Sequence, residues 1–138
     1  EQFINKQPPY ETYPVNELYE SERGTQVYSK HATISTDYIG LIYPSDYGYA
    51  STDASCSQNP FSSKCKNNNW LYKSGVWYWT ISPISSCASS VFSVAGGGYL
   101  YGYSALSRGR IRPSLYLKSD IEIVSGSGTK DDMFKLEI

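Results

Sequence analysis

The sequence has few of the residue types on which catalytic and metal sites most often depend. Among 138 residues it has one histidine, one methionine and three cysteines, and only 18% of the residues are charged. A Ser-His-Asp triad or a Cys-His pair would have to use His31, and no nucleophile-elbow pattern lies near it. Because no Cys-x-x-Cys spacing occurs, a zinc site would lack ligands. We therefore interpret His31 as a surface or structural residue, and we expect a protein that is not an enzyme and uses no cofactor.

Long apolar runs and an excess of charge are also missing. Nothing approaches the roughly 18 consecutive apolar residues of a membrane-spanning helix, so we expect no transmembrane segment. The 12 basic residues nearly balance the 13 acidic ones. This balance argues against nucleic acid as a partner, because phosphate binding requires a basic surface. Asp131 and Asp132 near Glu122 leave calcium open, but the spacing of an EF-hand loop is absent and we assign no metal site.

Aromatic residues, by contrast, are abundant. The chain has 14 Tyr, 3 Trp and 4 Phe. A surface rich in Tyr, Ser and Gly is typical of recognition loops, because Tyr offers a large, stiff and amphipathic contact area at a low entropy cost. The alternative is that Tyr is frequent because it suits β-strands. Composition alone leaves both interpretations open.

The three cysteines predict one disulfide. Cys56 and Cys65 lie nine residues apart in a polar stretch, 55–69, and this spacing is typical of a disulfide that closes a surface loop in an oxidising compartment. The alternative is two free thiols in a reducing cell. Cys87 is then left either free or paired with another chain.

Hydrophobic periodicity predicts an α+β domain, mostly antiparallel β with one or two short helices. Apolar residues at helical spacing after Pro14 predict a helix over Val15–Arg23. Alternation predicts strands at Trp77–Ser82 and Ser90–Val94. The glycine run at 96–98 predicts that the second of these strands forms a hairpin with Tyr99–Tyr103.

Two further patterns predict buried strands. The apolar run Tyr38–Tyr43, ended by a proline, is typical of a buried strand. Near the C-terminal end, alternation on both sides of a Gly/Asp-rich turn predicts a hairpin with one face buried. The side chains expected on its core face are Ile121, Ile123, Phe134 and Leu136.

The segment from Ile84 to Arg110 differs in composition from the rest of the chain. Its 27 residues contain no Lys, Glu, Gln, Met or Trp, whereas the other 111 residues contain 23 of them. Those five types are the ones that cannot arise when the first two bases of an asparagine codon are randomised. The pattern is therefore what adenine-directed diversification would leave. The alternative is a hairpin rich in Gly, Ser and Tyr that lacks long polar side chains by chance.

Several blocks in a fixed order resemble a family of secreted and pilin-like proteins of gut Firmicutes. The resemblance covers about Thr33 to Ile138, and two of its blocks, Trp-Thr-Ile-Ser-Pro and Arg-Pro-x-Leu-x-Leu, are shared with bacterial domains of the C-type-lectin-like fold. Members of that fold class serve as the variable proteins of diversity-generating retroelements. The blocks that carry the resemblance are Ile39–Ala50, Asn69–Leu71, Trp79–Pro83, Val91–Phe92 with Val94, Arg112–Ser119 and Gly126–Phe134.

The resemblance implies a C-type-lectin-like domain at 33–138, preceded by an N-terminal segment at 1–32 that either links to it or belongs to it. It also implies an invariant framework and an exposed, diversified patch that binds ligand. The framework positions are Trp79, Pro83, Val91, Val94, Gly98, Ile111, Arg112 and Pro113. The binding positions are Ile84, Ser86, Cys87, Ser93, Ala95, Gly96, Tyr99, Tyr101, Tyr103, Leu106, Arg108 and Arg110.

On this interpretation the chain is an extracellular or cell-surface, adhesin-like domain whose partner is a protein or a glycan. Tyr99, Tyr101 and Tyr103 supply stacking and contact area, and Arg108 and Arg110 supply hydrogen-bond donors. The alternative is a pilin-like head domain that packs against other pilus subunits and has no soluble ligand. One departure from the family bears on the patch, since relatives usually have glycine where Arg110 stands.

Overall fold

The protein is a mixed α+β domain with short helices and antiparallel strands, as the sequence predicts at that level. The structure is a computed structural model that describes residues 13–23, 37, 39–84, 87, 89–129 and 131–137. No helix in these ranges is long and apolar enough to cross a membrane. The helices are α1 (Val15–Arg23), α2 (Pro44–Tyr49) and α3 (Ala54–Gln58), followed by a 3₁₀ helix at Ser63–Lys66. The strands are β1 (Gly40–Leu41), β2 (Tyr78–Pro83), β3 (Ser90–Val94), β4 (Leu100–Ser104), β5 (Pro113–Ser114), β6 (Glu122–Ser125) and β7 (Lys135–Glu137).

The central sheet has the order β2-β3-β4, and both of its pairings are antiparallel. Alternation of the side chains decides which residues it buries, because successive residues of a strand point to opposite faces. One face places Tyr78, Phe92 and Leu100 in the core, each of them fully buried. The predicted strands and the predicted β3–β4 hairpin are thereby confirmed.

The first helix packs against α2 and completes the core. The helix predicted over Val15–Arg23 is confirmed with those bounds, and it buries Val15 and Leu18. Gly48 of α2 lies directly under Val15, and a Cβ added to this glycine would come within 2.9 Å of the valine Cγ1. The two helices therefore approach closely. Because α1 contacts both α2 and α3, it packs as part of the same domain as these helices.

The disulfide between Cys56 and Cys65 is present, which confirms the predicted pairing. It joins α3 to the 3₁₀ helix, and both sulfur-bearing residues are fully buried. The Asp53 carboxylate caps α3 by accepting a hydrogen bond of 2.9 Å from the Ser55 amide. Cys87 is a free, half-buried thiol.

Two predictions of burial are wrong. The apolar run around Ile42 forms only the two-residue strand β1, paired with the equally short β5, and Ile39 is 61% exposed. At the C-terminal end β6 and β7 pair as the predicted hairpin, but Ile123, Phe134 and Leu136 are about half exposed rather than in the core. The hairpin forms a separate two-stranded sheet, and among the described elements no second layer covers it.

Candidate functional site

The outward face of the central sheet presents a row of aromatic side chains. The registers place Trp79 opposite Ser93, and Ser93 opposite Tyr101, so these three residues lie across the sheet on one face. The same alternation places Tyr101 and Tyr103 of β4, and Tyr99 just before this strand, on that face. We call the five aromatic residues of this face the aromatic row: Trp77, Trp79, Tyr99, Tyr101 and Tyr103.

The five rings of the aromatic row contact one another in an unbroken series. Tyr99 meets Tyr101 edge-on at 6.2 Å between ring centroids, and Tyr101 meets Tyr103 at 5.1 Å. Tyr103 stacks on Trp77 at 4.8 Å with an interplanar angle of 24°, and Trp77 meets Trp79 edge-on at 5.0 Å. Such pairs are worth about 0.5–1.5 kcal/mol each beyond their buried area. The rings therefore support one another while part of each stays open to solvent.

Small residues form the floor beneath the rings. Ser93 is fully buried and donates a hydrogen bond of 3.0 Å from its hydroxyl to the Tyr101 carbonyl. Gly109 lies against the two indoles, and a Cβ added there would come within 2.6 Å of the Trp79 Nε1 and 2.8 Å of the Trp77 Cη2. Any larger residue at 109 would push the indoles out of place.

Three of the twelve predicted binding positions lie in the core, which corrects their assignment to an exposed patch. Ile84 is 3% exposed and fills the space above Gly102, where a Cβ would overlap its Cδ1. Ser93 is buried because β3 is the middle strand and aromatic residues flank it on the outward face. Ala95, the first residue after β3, is buried in the turn, where its backbone bonds to Tyr99 and Gly98. These three side chains shape the face but cannot touch a ligand.

The other predicted positions are distributed unevenly over the surface. Tyr101 is 41% exposed and Leu106 is 92% exposed. Arg108 and Arg110 are exposed as well. The half-buried positions are Cys87, Gly96, Tyr99 and Tyr103. Ser86 and His31 lie outside the described residues.

The thiol of Cys87 has an altered acidity. Hydrogen bonds with the side chains of Ser89 and Ser90 lower the pKa of Cys87 below its usual value. The Ser90 hydroxyl lies 3.1 Å from the sulfur. Such donors favour the thiolate, because they stabilise its negative charge.

A second feature of the site lies at Arg110, the residue after Gly109, along the β2 edge of the central sheet. The backbone of Arg110 forms hydrogen bonds to Trp79 of β2 and to Trp77, the residue before this strand. The Trp79 amide donates to the Arg110 carbonyl at 3.0 Å, and the Arg110 amide donates to the Trp77 carbonyl at 3.3 Å. Beside this segment a cavity of about 290 Å³ is lined by Lys73, Val76, Arg110, Ile111 and Arg112. We call it the basic cavity.

Arg112 is held in the wall of the basic cavity. Its guanidinium lies 4.9 Å from the ring centroid of Tyr78, and its Nη1 donates to the Leu71 carbonyl. The Tyr78 hydroxyl donates to the same carbonyl at 2.9 Å. Burial raises the pKa of Tyr78, so this hydroxyl stays protonated as a donor.

Sequence reasoning missed Trp77 as a member of the aromatic row and Lys73 as a residue of the basic cavity, and it treated Trp79 and Arg112 as framework. A signal for the cations was present in the distribution of charge. Residues 54–119 contain no Asp or Glu but seven basic residues, while the rest of the chain holds all 13 acidic residues and only five basic ones. The near-neutral net charge is therefore the sum of a basic segment at 54–119 and an acidic remainder of the chain. The basic residues of 54–119 are Lys64, Lys66, Lys73, Arg108, Arg110, Arg112 and Lys118.

Another cavity, of about 340 Å³, lies between α2 and residues 114–116. Exposed aromatic rings line it, including Trp70 and Tyr116, and its carboxylate is that of Asp46. That carboxylate is already engaged, because Arg23 Nη2 donates to it at 2.7 Å and the Tyr43 amide at 2.8 Å. This cavity shares no residue with the aromatic row or the basic cavity.

A scan against protein-family models, a search of curated proteins and a search of solved structures each found no match to the chain. The interpretation of the site therefore rests on its geometry. Stacked aromatic rings supply contact area, and exposed guanidinium and ammonium groups supply charged donors. Between Ile84 and Arg110 the sequence has no carboxylate and no imidazole. The arrangement is suited to binding.

Proposed function

We propose that this chain is an extracellular, adhesin-like ligand-binding domain of the C-type-lectin-like fold, and that it binds through the aromatic row, with the exposed Arg108 and Arg110 as further donors. The observation that carries the proposal is the unbroken series of five rings on the outward face of the sheet, with Tyr101 41% exposed. Aromatic and arginine side chains are the types most enriched at binding hot spots.

The separation between a buried floor and an exposed row supports a diversified surface. Randomised residues are tolerated where they touch solvent and rarely tolerated in a core. The ligand-contacting positions that we retain are the predicted ones that are exposed or half-buried: Cys87, Gly96, Tyr99, Tyr101, Tyr103, Leu106, Arg108 and Arg110. The sheet and the disulfide-closed loop would stay constant beneath them.

The Cys56–Cys65 disulfide supports an extracellular location, because such bonds persist in oxidising compartments. A structural head domain of a pilus is the second candidate. The observation that favours it is the apolar surface of the β6–β7 hairpin, where Ile123 is 60% and Met133 is 71% exposed. A neighbouring subunit in a filament would cover such a surface.

Binding can be tested with the full chain on arrays of glycans and secreted proteins. The test variant is Tyr101→Ser with Tyr103→Ser, and the matched control is Tyr116→Ser, a tyrosine 84% exposed outside the aromatic row. We expect the wild type and the control to share at least one ligand that the double variant loses. Retention of every ligand by the double variant would contradict the proposal, and so would the absence of any ligand.

Diversification can be tested separately by sequencing the gene in many isolates. We expect substitutions to concentrate at asparagine-derived codons in 84–110, with a template repeat and a reverse transcriptase nearby. A face that stays constant between isolates would favour the pilus-head alternative.

A further inference from the structure

We propose that the basic cavity is a second binding site, and that its ligand is a small phosphate monoester. This inference goes beyond the proposed function, because it uses neither the aromatic row nor the ligand proposed for that row. The observation behind it is that three cationic side chains, Lys73, Arg110 and Arg112, line one cavity together with the apolar Val76 and Ile111.

The basic cavity lies on the opposite side of the sheet from the aromatic row. Arg110 pairs with Tyr78 in an isolated parallel bridge, and its two backbone hydrogen bonds go to the residues on either side of Tyr78. Residues paired in this way share a face, whereas successive residues of a strand alternate between faces. Arg110 therefore lies on the Tyr78 side, away from Trp77 and Trp79, and the basic cavity is a site of its own.

The walls of the basic cavity are held in place by contacts within the domain. The Arg112 guanidinium lies 4.9 Å from the ring centroid of Tyr78, and it donates a hydrogen bond to the Leu71 carbonyl. On the other side, the Val76 amide donates to the Lys73 carbonyl at 3.2 Å and closes the turn that carries this lysine. Binding therefore has few groups to order, which lowers its entropic cost.

The three cations of the basic cavity have no counter-charge. Among the described residues, the ion pairs are those of Arg23, and no carboxylate comes within 4.0 Å of Lys73, Arg110 or Arg112. The segments that build the cavity also contain no acidic residue, since residues 54–119 have no Asp or Glu. Like charges around one concave surface raise the local positive potential, and an incoming anion relieves it.

The number of cations and the apolar walls favour a phosphate monoester among small anions. Such a group carries about −1.5 to −2 charges at pH 7 and has three acceptor oxygens, whereas a carboxylate or a sulfate ester carries one charge. The extra charge gains more from three cations, and guanidinium groups bond to phosphate oxygens through two parallel donors. The volume of about 290 Å³ is close to the lower end for small-ligand cavities, and Val76 and Ile111 offer apolar surface to the organic part of the ester. A nucleic acid requires a basic surface that spans many phosphates, which one small cavity does not supply.

NMR titration of the full chain tests this assignment with four probes at constant ionic strength. The probes are ethyl phosphate, inorganic phosphate, ethyl sulfate and propionate. Ethyl sulfate keeps the tetrahedral shape and the alkyl group of ethyl phosphate but carries a single charge. At pH 7.5 we expect ethyl phosphate to give saturable amide shifts centred on residues 73–76 and 110–112, and to bind at least about fivefold more tightly than ethyl sulfate or propionate. Inorganic phosphate distinguishes the free ion from the ester, and it should bind more weakly because it has no alkyl group to pack on the apolar walls.

The preference for ethyl phosphate should depend on pH through the ligand itself. Its second pKa is about 6, so at pH 5 it carries close to one charge, like ethyl sulfate. We expect the two affinities to lie within about twofold of each other at pH 5. The ratio of the two affinities at each pH cancels any titration of the protein. A preference that is unchanged at pH 5 would contradict the inference.

Variants test whether the basic cavity is responsible. The double variant Lys73→Gln with Arg110→Gln should weaken the binding of ethyl phosphate at least about tenfold. Arg112 is left in place because it also anchors the cavity wall. The control is Lys118→Gln with Lys135→Gln, which removes the same two charges from exposed positions outside the cavity and should stay within about twofold. Circular dichroism of each variant checks the fold, and the comparison of probes on the wild type needs no variant.

Four other results would overturn the inference. They are equal binding of ethyl sulfate or propionate at pH 7.5, equal binding of inorganic phosphate, an equal loss in the control variant, and amide shifts centred outside the cavity. None of them bears on the proposed function, because its test depends on Tyr101 and Tyr103 on the other face of the sheet.

Discussion

The buried carboxyl of Glu22 makes the stability of this fold depend on pH in an unusual direction. Glu22 ends α1 and is only 4% exposed. It accepts hydrogen bonds from the Ser45 amide at 3.1 Å, from the Ser45 hydroxyl, and from Arg23 Nη1 at 3.2 Å. Burial nonetheless dominates and raises the pKa of Glu22 to about 7, while Ser45 and Arg23 lower it and the Asp46 charge raises it.

The sign of the effect follows from the two pKa values. In the unfolded chain the Glu22 carboxyl titrates near 4.5, and in the folded protein near 7. The folded state therefore binds the proton more tightly, and the contribution of Glu22 to stability is greatest below pH 4.5. It falls as the pH rises through about 7, because the folded protein must then hold a buried charge. At about 1.4 kcal/mol per pKa unit, the shift from 4.5 to about 7 gives the loss an upper limit of about 3–4 kcal/mol.

The assay is urea unfolding of the wild type and of Glu22→Gln at several pH values between 4 and 8.5. Gln is neutral and keeps a carbonyl oxygen for the Ser45 amide, so the variant should lack this slope and be the more stable protein at pH 8. Glu17→Gln is the control, since it removes the same charge from an exposed position of the same helix. Parallel profiles for the wild type and Glu22→Gln between pH 5 and 8 would refute the reasoning.

Two further predictions concern the loop and the turn that support the site. Replacing Cys56 and Cys65 with Ala should lower the free energy of unfolding by about 2–3 kcal/mol, as expected for a short closed loop, and Cys87→Ala should leave it within about 1 kcal/mol. Urea unfolding with and without reductant measures this, and an unchanged midpoint under reductant would contradict it. Gly98 has φ +84°, and a Cβ there would lie 3.1 Å from the Lys66 Cα, whereas Gly75 at φ +68° faces open space. Gly75→Ala should therefore lower the free energy of unfolding by about 1–2 kcal/mol, and Gly98→Ala should lower it clearly more. Thermal unfolding measures both, and equal melting temperatures for the two variants would contradict this prediction.

Local patterns in the sequence were sufficient for the parts of the fold that short-range physics controls. The helix at Val15–Arg23 follows from apolar spacing after a proline, and the β3–β4 hairpin follows from alternation around a glycine turn. The disulfide follows from the spacing of Cys56 and Cys65. Each depends on neighbours within about ten residues, where spacing and backbone preference decide.

Alternation along a strand is sufficient to place Tyr99, Tyr101 and Tyr103 on one face, but it does not determine what surrounds them. The contribution of Trp77 and Trp79 depends on Gly109, some 30 residues away in sequence, against which their indoles lie. The basic cavity likewise gathers Lys73 and Arg110 from distant positions. Such contacts between residues far apart in sequence depend on the path of the chain, which the periodicity of a single strand does not determine.

The sequence by itself determined which side chains share a face, while only the tertiary structure decided which faces are covered. The same alternation buries Phe92 in the central sheet and leaves Phe134 half exposed in the β6–β7 hairpin. Ser93 is a small polar residue that looks suited to a surface, yet it is fully buried in the middle strand. The physical reason is that a strand sets the period of its own side chains, whereas burial requires a second layer supplied from elsewhere in the chain.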